Sequence, residues 1–294
     1  MKSLLTTQRK SFIPFYSLIV LISVSLTATR AAETVDTAGL LLSAEAALKS
    51  GKPAEAIALA GRIVAADPKH FRAWLLRARA HEESRDYAKA VTDYDAGLKL
   101  TTNAAIAYQW RGEAHFRLGH FKESIADFDK FIELMPGQAP HHWQRGIALY
   151  YAGRYEDGRK QFELHQTVNS RDVENAVWHF LCVARASGPE KARSVLIAIE
   201  GDPRVPMAQV HHLFAGKAKP EDVLAAAKAG DPSPARLDNQ LFYAHLYLGL
   251  YYEAISDTKL AREHILQAAT GFKADHYMGD VARVHAQVLR KLTK

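Results

Sequence analysis

Three stretches decide the fold: WLLRARAHEESRDYAKAVTDY (Trp74 to Tyr94), YQWRGEAHFRLGHFKESIADF (Tyr108 to Phe128) and HWQRGIALYYAGRYEDGRKQF (His142 to Phe162). Laid under one another they share a period of 34 residues, which relates Arg77, Arg111 and Arg145, and then Ala78, Gly112 and Gly146. The same step relates Tyr87, Phe121 and Tyr155, and Tyr94, Phe128 and Phe162. A fixed period of this length marks a stack of helix pairs rather than a single globular core. Small residues at 78, 112 and 146 let two helices approach closely, and the ring sixteen residues later fills the space between neighbours. Gly119 and Gly153 fall where the first helix of a pair must stop and turn. Asp93 and Asp127 stand sixteen residues after Arg77 and Arg111, which predicts a salt bridge between paired helices. Each pair exposes an apolar face that only the next pair can cover.

These columns resemble the tetratricopeptide repeat. Trp74, Gly112, Gly146, Ala56, Ala90, Pro68 and Pro136 stand on consensus positions, while Arg replaces the usual Leu at position 7 of repeats 2 to 4. The register sets repeats at 37–70, 71–104, 105–138, 139–172 and 173–206, a degenerate pair at 204–237 with Pro220 opening its second helix, and another repeat at 242–275. The turn GDPSP at 230–234 interrupts the register, and the amphipathic segment 276–292 reads as a cap without a partner helix. No strand alternation is present. The expectation is all-α: a right-handed α-solenoid of tetratricopeptide helix pairs with a C-terminal capping helix, one domain over 37–292 after a short linker at 32–36.

Over 105–292 the order of units is similar to bacterial envelope proteins of the new lipoprotein I type. RGIALYYAG (Arg145 to Gly153), LFAGKAKPEDVL (Leu213 to Leu224) and the repeat from Phe242 to Ala268 carry the likeness. It implies a non-enzymatic adaptor that dimerises and scaffolds envelope proteases or cell-wall hydrolases. The lipid-anchor cysteine of that type is absent here, which implies a soluble or differently tethered protein.

Lys2, Arg9 and Lys10 precede the fifteen-residue apolar run from Phe12 to Leu26, and Thr29 and Ala31 offer a small-residue cleavage site. A membrane-spanning helix needs roughly 20 apolar residues, so residues 1–31 read as a signal peptide, with an uncleaved N-terminal anchor as the alternative. The protein is expected to be periplasmic or secreted. Removing that segment takes away four basic residues and lowers the formal charge from +6 to +2, which gives no electrostatic case for nucleic acid. Cys182 is the one cysteine, so no intrachain disulfide can form and stability must come from burial.

In such a stack the first helices line the concave side, and helical spacing places one set of side chains there. These are Arg79, Trp110, Glu113, Trp143, Ile147, Tyr150, Tyr151, Glu174, Trp178, Tyr243 and Tyr247. Large amphipathic rings on a rigid wall suit a protein or peptide partner, because they supply contact area at small entropic cost. Leu41 and Glu45 occupy columns where the family's clamp for acidic chaperone tails would need Lys and Asn, so such tails are not the expected ligand. Fourteen histidines raise the question of metal, but none forms H-E-x-x-H, and the neighbours His141-His142 and His211-His212 point to different sides of a helix. No metal and no cofactor is expected. The segment Gln161 to Cys182 gathers His165, His179, Glu163, Glu174 and Cys182 and raises the alternative of a hydrolase. It reads instead as a junction between repeats, with Cys182 buried, Asp172 capping a helix and His165 needing a partner in the seam. The remaining alternative is a structural homo-oligomer.

Overall fold

The computed structural model describes residues 36–291, so the expected signal peptide at 1–31 and most of the linker lie outside the described residues. Fifteen α-helices follow one another and, among the described residues, there is no strand. The pairs are α1 (Thr37–Lys49) with α2 (Pro53–Ala66), α3 (Phe71–Glu83) with α4 (Tyr87–Leu98), and α5 (Ala105–Leu118) with α6 (Phe121–Leu134). A 3-10 turn at Pro136–His141 leads into α7 (Trp143–Tyr151) and α8 (Tyr155–Gln166), then α9 (Val173–Ser187) and the short α10 (Pro189–Ser194). Next come α11 (Met207–Phe214) with α12 (Pro220–Lys228), α13 (Pro234–Ala254) with α14 (Thr258–Thr270), and α15 (Tyr277–Lys291). The chain is an all-α solenoid.

Local chemistry explains the boundaries. Asp36, Asp86 and Asp257 accept hydrogen bonds from backbone N–H groups in the first turns of α1, α4 and α14, and prolines open α2, α10, α12 and α13, where a missing N–H costs nothing. Proline explains why α13 starts at Pro234, eight residues before the repeat register resumes: Ser233-Pro234 sets a helix start directly after the GDPSP turn. His70 and His142 cap α3 and α7, each ring Nδ1 accepting a backbone N–H at 3.2 Å. Gly119 ends α5 at φ 76°, a conformation that other residues rarely adopt.

Within a pair, ring and glycine interlock. A Cβ on Gly112 would come within 2.7 Å of the Phe128 ring, and one on Gly146 within 2.6 Å of the Phe162 ring. Gly249 meets Ile265 in the same way at 2.6 Å. Between pairs the arginine column acts as a rivet. Arg77 binds Asp93 through Nε and Nη2 at 2.7 and 2.6 Å, and Arg111 binds Asp127 at 2.8 and 2.6 Å, which is the predicted pairing. Arg111 also reaches back 2.6 Å to Asp95, and Arg145 reaches Asp129 at 2.6 Å while donating to Gln161 in its own pair. One side chain therefore ties its own second helix to that of the preceding repeat. Asp93 and Asp127 are nearly fully buried, so removing either arginine would strand a desolvated carboxylate, a loss of about 3–5 kcal/mol.

The C-terminal capping helix has more partners than its sequence suggested. α15 packs on α14 and also crosses to the first helices, where Tyr277 stacks on Phe116 at 5.5 Å and meets the Trp143 ring edge-on at 5.0 Å. Its other anchors are Asp280, which accepts from Arg117 at 2.7 Å, and His285, which shares a hydrogen bond with the Tyr151 hydroxyl at 2.8 Å. Its apolar face is long enough to be buried on two sides: Met278, Val281, Ala282, Val284 and Ala286 are all enclosed.

Two measurements check this packing. Gly146→Val should lower the urea midpoint by an amount equivalent to at least about 2 kcal/mol, because the ring of Phe162 cannot leave its slot, whereas Gly137→Ala, which meets nothing within 4 Å, should leave it unchanged. His142 is buried and neutral: its Nδ1 caps α7, its Nε2 lies 2.6 Å from Gln109 Oε1, and burial lowers its pKa from 6.5 to about 4. Since only the unfolded chain takes up that proton between pH 6.5 and 4, the stability from this residue is complete above pH 6.5 and is lost as pH falls toward 4, by up to about 3 kcal/mol. Urea midpoints across that range should fall more steeply for the wild type than for His142→Asn, which keeps a cap but does not titrate.

Candidate ligand-binding groove

The side chains expected to line an aromatic concave groove are more enclosed than a bare wall. Ile147, Tyr150, Trp178 and Tyr247 are buried, and Arg79, Trp110, Glu113, Trp143, Tyr151, Glu174 and Tyr243 are half-buried. The expectation of an open aromatic stripe is thus corrected, and the physical reason is twofold. The Tyr247 hydroxyl on α13 donates to Glu174 on α9, which draws the late first helices together, and α15 lies over α5 and α7. Tyr150 and Trp178 pack edge-on at 5.4 Å inside this closure and are core residues. Trp143 keeps a partly open face beside α15.

Beside α3 and α5 the wall is charged. Glu82 is nearly fully buried and accepts from Arg79 at 2.6 Å, from the Tyr94 hydroxyl at 2.8 Å and from Arg117 at 3.0 Å. Burial raises its carboxyl pKa even against the two arginines. Burial alone would lower the pKa of Arg117, but Asp280, Glu113 and Glu82 together raise it, so it stays charged. Arg79 lies over the Trp110 ring at 5.1 Å. Arg79, Arg85, Arg117 and Arg283 face Glu82, Glu83, Asp275 and Asp280 across an open polar depression of about 390 Å³. Cations and carboxylates balance there, and each of those arginines is paired with an acid.

Beside α7 and α9 the wall differs. A cavity of about 230 Å³ lies between Trp143 and Ile147 of α7, Phe162 and His165 of α8, Trp178 of α9 and Met278 of α15. Its rim is acidic. Asp172, which caps α9 by accepting from the Glu174 N–H at 3.0 Å, binds Arg204 at 2.6 Å, and Asp202 binds the same guanidinium at 2.6 Å. Glu174 contacts Arg204 as well, and burial raises its carboxyl pKa. Arg204 comes from residues 195–206, between α10 and α11, a segment without helix that no column of the repeat would have revealed. Its approach to α9 could not be read from spacing.

The alternative of a hydrolase centred on Cys182 meets an enclosed thiol. Cys182 is fully buried, its Sγ packs where a Cβ on Gly158 would come within 2.8 Å, and burial raises its pKa, so it is a protonated thiol at neutral pH. His179 pairs instead with Glu163, at 3.4 Å, and His165 Nδ1 meets Pro140 O at 2.9 Å, the seam partner its position required. Among the described residues no group of three or more His, Cys, Asp or Glu side chains is placed to hold a metal ion. No described helix is long and apolar enough to cross a membrane.

The tetratricopeptide repeat family model matches residues 41–105 and 77–139, so this part of the chain carries tetratricopeptide repeats. Among curated proteins none matches. Solved structures of similar fold include a tetratricopeptide repeat protein from Parabacteroides merdae, 13% identical, covering 86% of this chain and 98% of that one with a TM-score of 0.56. The C-terminal part of a TPR repeat-containing protein from Cytophaga hutchinsonii is 16% identical, covers 82% and 98%, and gives 0.52. A structure of MamA protein is 16% identical, covers 54% of this chain and 86% of its own, and gives 0.51. At these identities the likeness is one of fold.

A thiol reagent such as Ellman's should leave native Cys182 unmodified at pH 8 and titrate one thiol per chain in urea; rapid modification of the folded protein would contradict its burial.

Proposed function

We propose that this chain is a non-enzymatic adaptor that binds a segment of a partner protein along its concave side, in the trough between α15 and the first helices α7 and α9. The observation that carries the reading is the half-buried Trp143 beside a cavity whose rim bears Asp172 and Glu174: an aromatic anchor site next to fixed charge, built on rigid helices. Tetratricopeptide repeats are a scaffold typically without catalytic activity and suited to presenting such a surface. The leader-like residues 1–31 support export and a periplasmic or secreted location, and the order of units from 105 to 292 supports a role like that of new lipoprotein I type adaptors, which scaffold envelope proteases or hydrolases. Homodimer formation fits the same role. A purely structural oligomer held by its aromatic face is less well supported, because α15 of the same chain already covers much of that face.

Peptides selected by display on the immobilised chain test the proposal. They should bind the wild type and bind Trp143→Ala at least about fivefold more weakly, a loss near 1 kcal/mol for one half-buried aromatic contact. Equal binding to both, with Trp143→Ala still folded by circular dichroism, would move the partner surface elsewhere.

A further inference from the structure

The cavity between α7, α8 and α9 has a composition that names its ligand more narrowly than "a peptide". Two carboxylates, Asp172 and Glu174, line it together with Arg204, which binds both of them as well as Asp202. The rim therefore carries a formal surplus of one negative charge. Tyr247 adds a neutral hydroxyl donor to Glu174, and burial holds its proton firmly, so it offsets no charge.

The lining side chains also hold hydrogen-bonding capacity that the chain itself does not use. His165 Nδ1 lies 2.9 Å from the carbonyl of Pro140, which can only accept, so Nδ1 donates there, while Nε2 makes no hydrogen bond and lies 4.0 Å from Asp172 Oδ2. Asn175 spends its amide N–H groups on Phe162 O at 3.1 Å and Gln166 Oε1 at 2.9 Å, and its Oδ1 accepts nothing. The Trp178 indole N–H donates to nothing. All three side chains are at most 5% exposed, and buried polar groups left without partners are destabilising. Two spare acceptors, a carboxylate surplus and the π faces of Trp143 and Trp178 form a site for a flat cation rich in N–H donors. The volume, about 230 Å³, falls below the ~300–1,000 Å³ of sites that enclose whole small molecules, so it suits one side chain.

We infer that this cavity is a pocket for an arginine side chain of the partner. It rests on the adaptor reading and specifies it: the guanidinium lies against the Trp143 indole and donates to His165 Nε2 and Asn175 Oδ1 beside the Asp172 and Glu174 carboxylates, while a backbone carbonyl of the partner accepts from the Trp178 N–H. In the unbound chain these three atoms are enclosed, and binding requires their side chains to turn toward the ligand. Arg204 shows within the chain that this rim holds a guanidinium.

The probe is the tripeptide amide N-acetyl-Gly-Arg-Gly-NH2, compared with the same peptide carrying citrulline, a neutral isostere of arginine, and one carrying glutamate. The four tryptophans give separate indole N–H resonances in a ¹H–¹⁵N spectrum of the full chain, and Trp74, whose indole donates to Pro68 O at 2.8 Å far from the cavity in sequence, serves as an internal control. The arginine probe should shift the Trp143 and Trp178 signals saturably and leave Trp74 still, with citrulline binding at least about tenfold more weakly and glutamate not at all. Glu174→Gln should weaken the arginine probe by about tenfold, and if that variant fails to fold, Trp143→Leu should give a comparable loss. Equal binding of citrulline and arginine, or no movement of the two signals with arginine, overturns the inference. Display peptides that depend on Trp143 but contain no required arginine would retain the adaptor reading while removing this pocket from it.

Discussion

Everything in this molecule depends on a ring lodged against a glycine. Phe128 against Gly112 and Phe162 against Gly146 set how closely the two helices of a pair approach, and Gly249 with Ile265 repeats the device near the other end. Close-packed interiors do not deform gradually, so this distance fixes where the arginine column can reach. At that spacing Arg111 spans from Asp127 to Asp95, and one side chain sets both the geometry of a pair and its angle to the preceding pair. The charges are tolerable in so enclosed a place because each guanidinium is matched by carboxylates or an amide in good geometry.

That geometry brings the late first helices inward until α13 touches α9 through Tyr247 and Glu174, and α15 then finds a two-sided berth. The result divides the concave side. Toward α3 and α5 it is a balanced lattice of arginines and carboxylates, closed by Asp280 of α15. Toward α7 and α9 it is aromatic and carries excess negative charge, and buried polar atoms of Asn175 and Trp178 remain there without hydrogen-bond partners. A partner segment has its strongest reason to bind where the chain has not already satisfied itself.

How much of this was legible follows from distance along the chain. Spacing of 34 exposed the helix pairs, the glycine notches and the Arg77–Asp93 and Arg111–Asp127 bridges, since each lies within one period. Asp172 as a cap and His165 as a seam residue were legible for the same reason, as local requirements of a helix start and a buried imidazole. The contacts of α15 were not: Arg117 and Asp280 are 163 residues apart, and an amphipathic terminal helix looks the same whether it caps one neighbour or covers four. Closure by α15 and α13 is also why Tyr150, Trp178 and Tyr247, expected to line the groove, are core residues. Arg204 was invisible because it lies in an irregular segment where no repeat constrains position. The signal that could have raised it is DPR at 202–204, an acid and an arginine beside a proline, following a loose repeat.

The most direct test of the account is hydrogen–deuterium exchange of the full chain with and without a display-selected peptide. Binding in the trough predicts added protection in α7, α9 and α15, around residues 143–151, 173–178 and 277–285, with the convex second helices α4 and α6 unchanged. Protection confined to α4 and α6, or to none of the first helices, would contradict it.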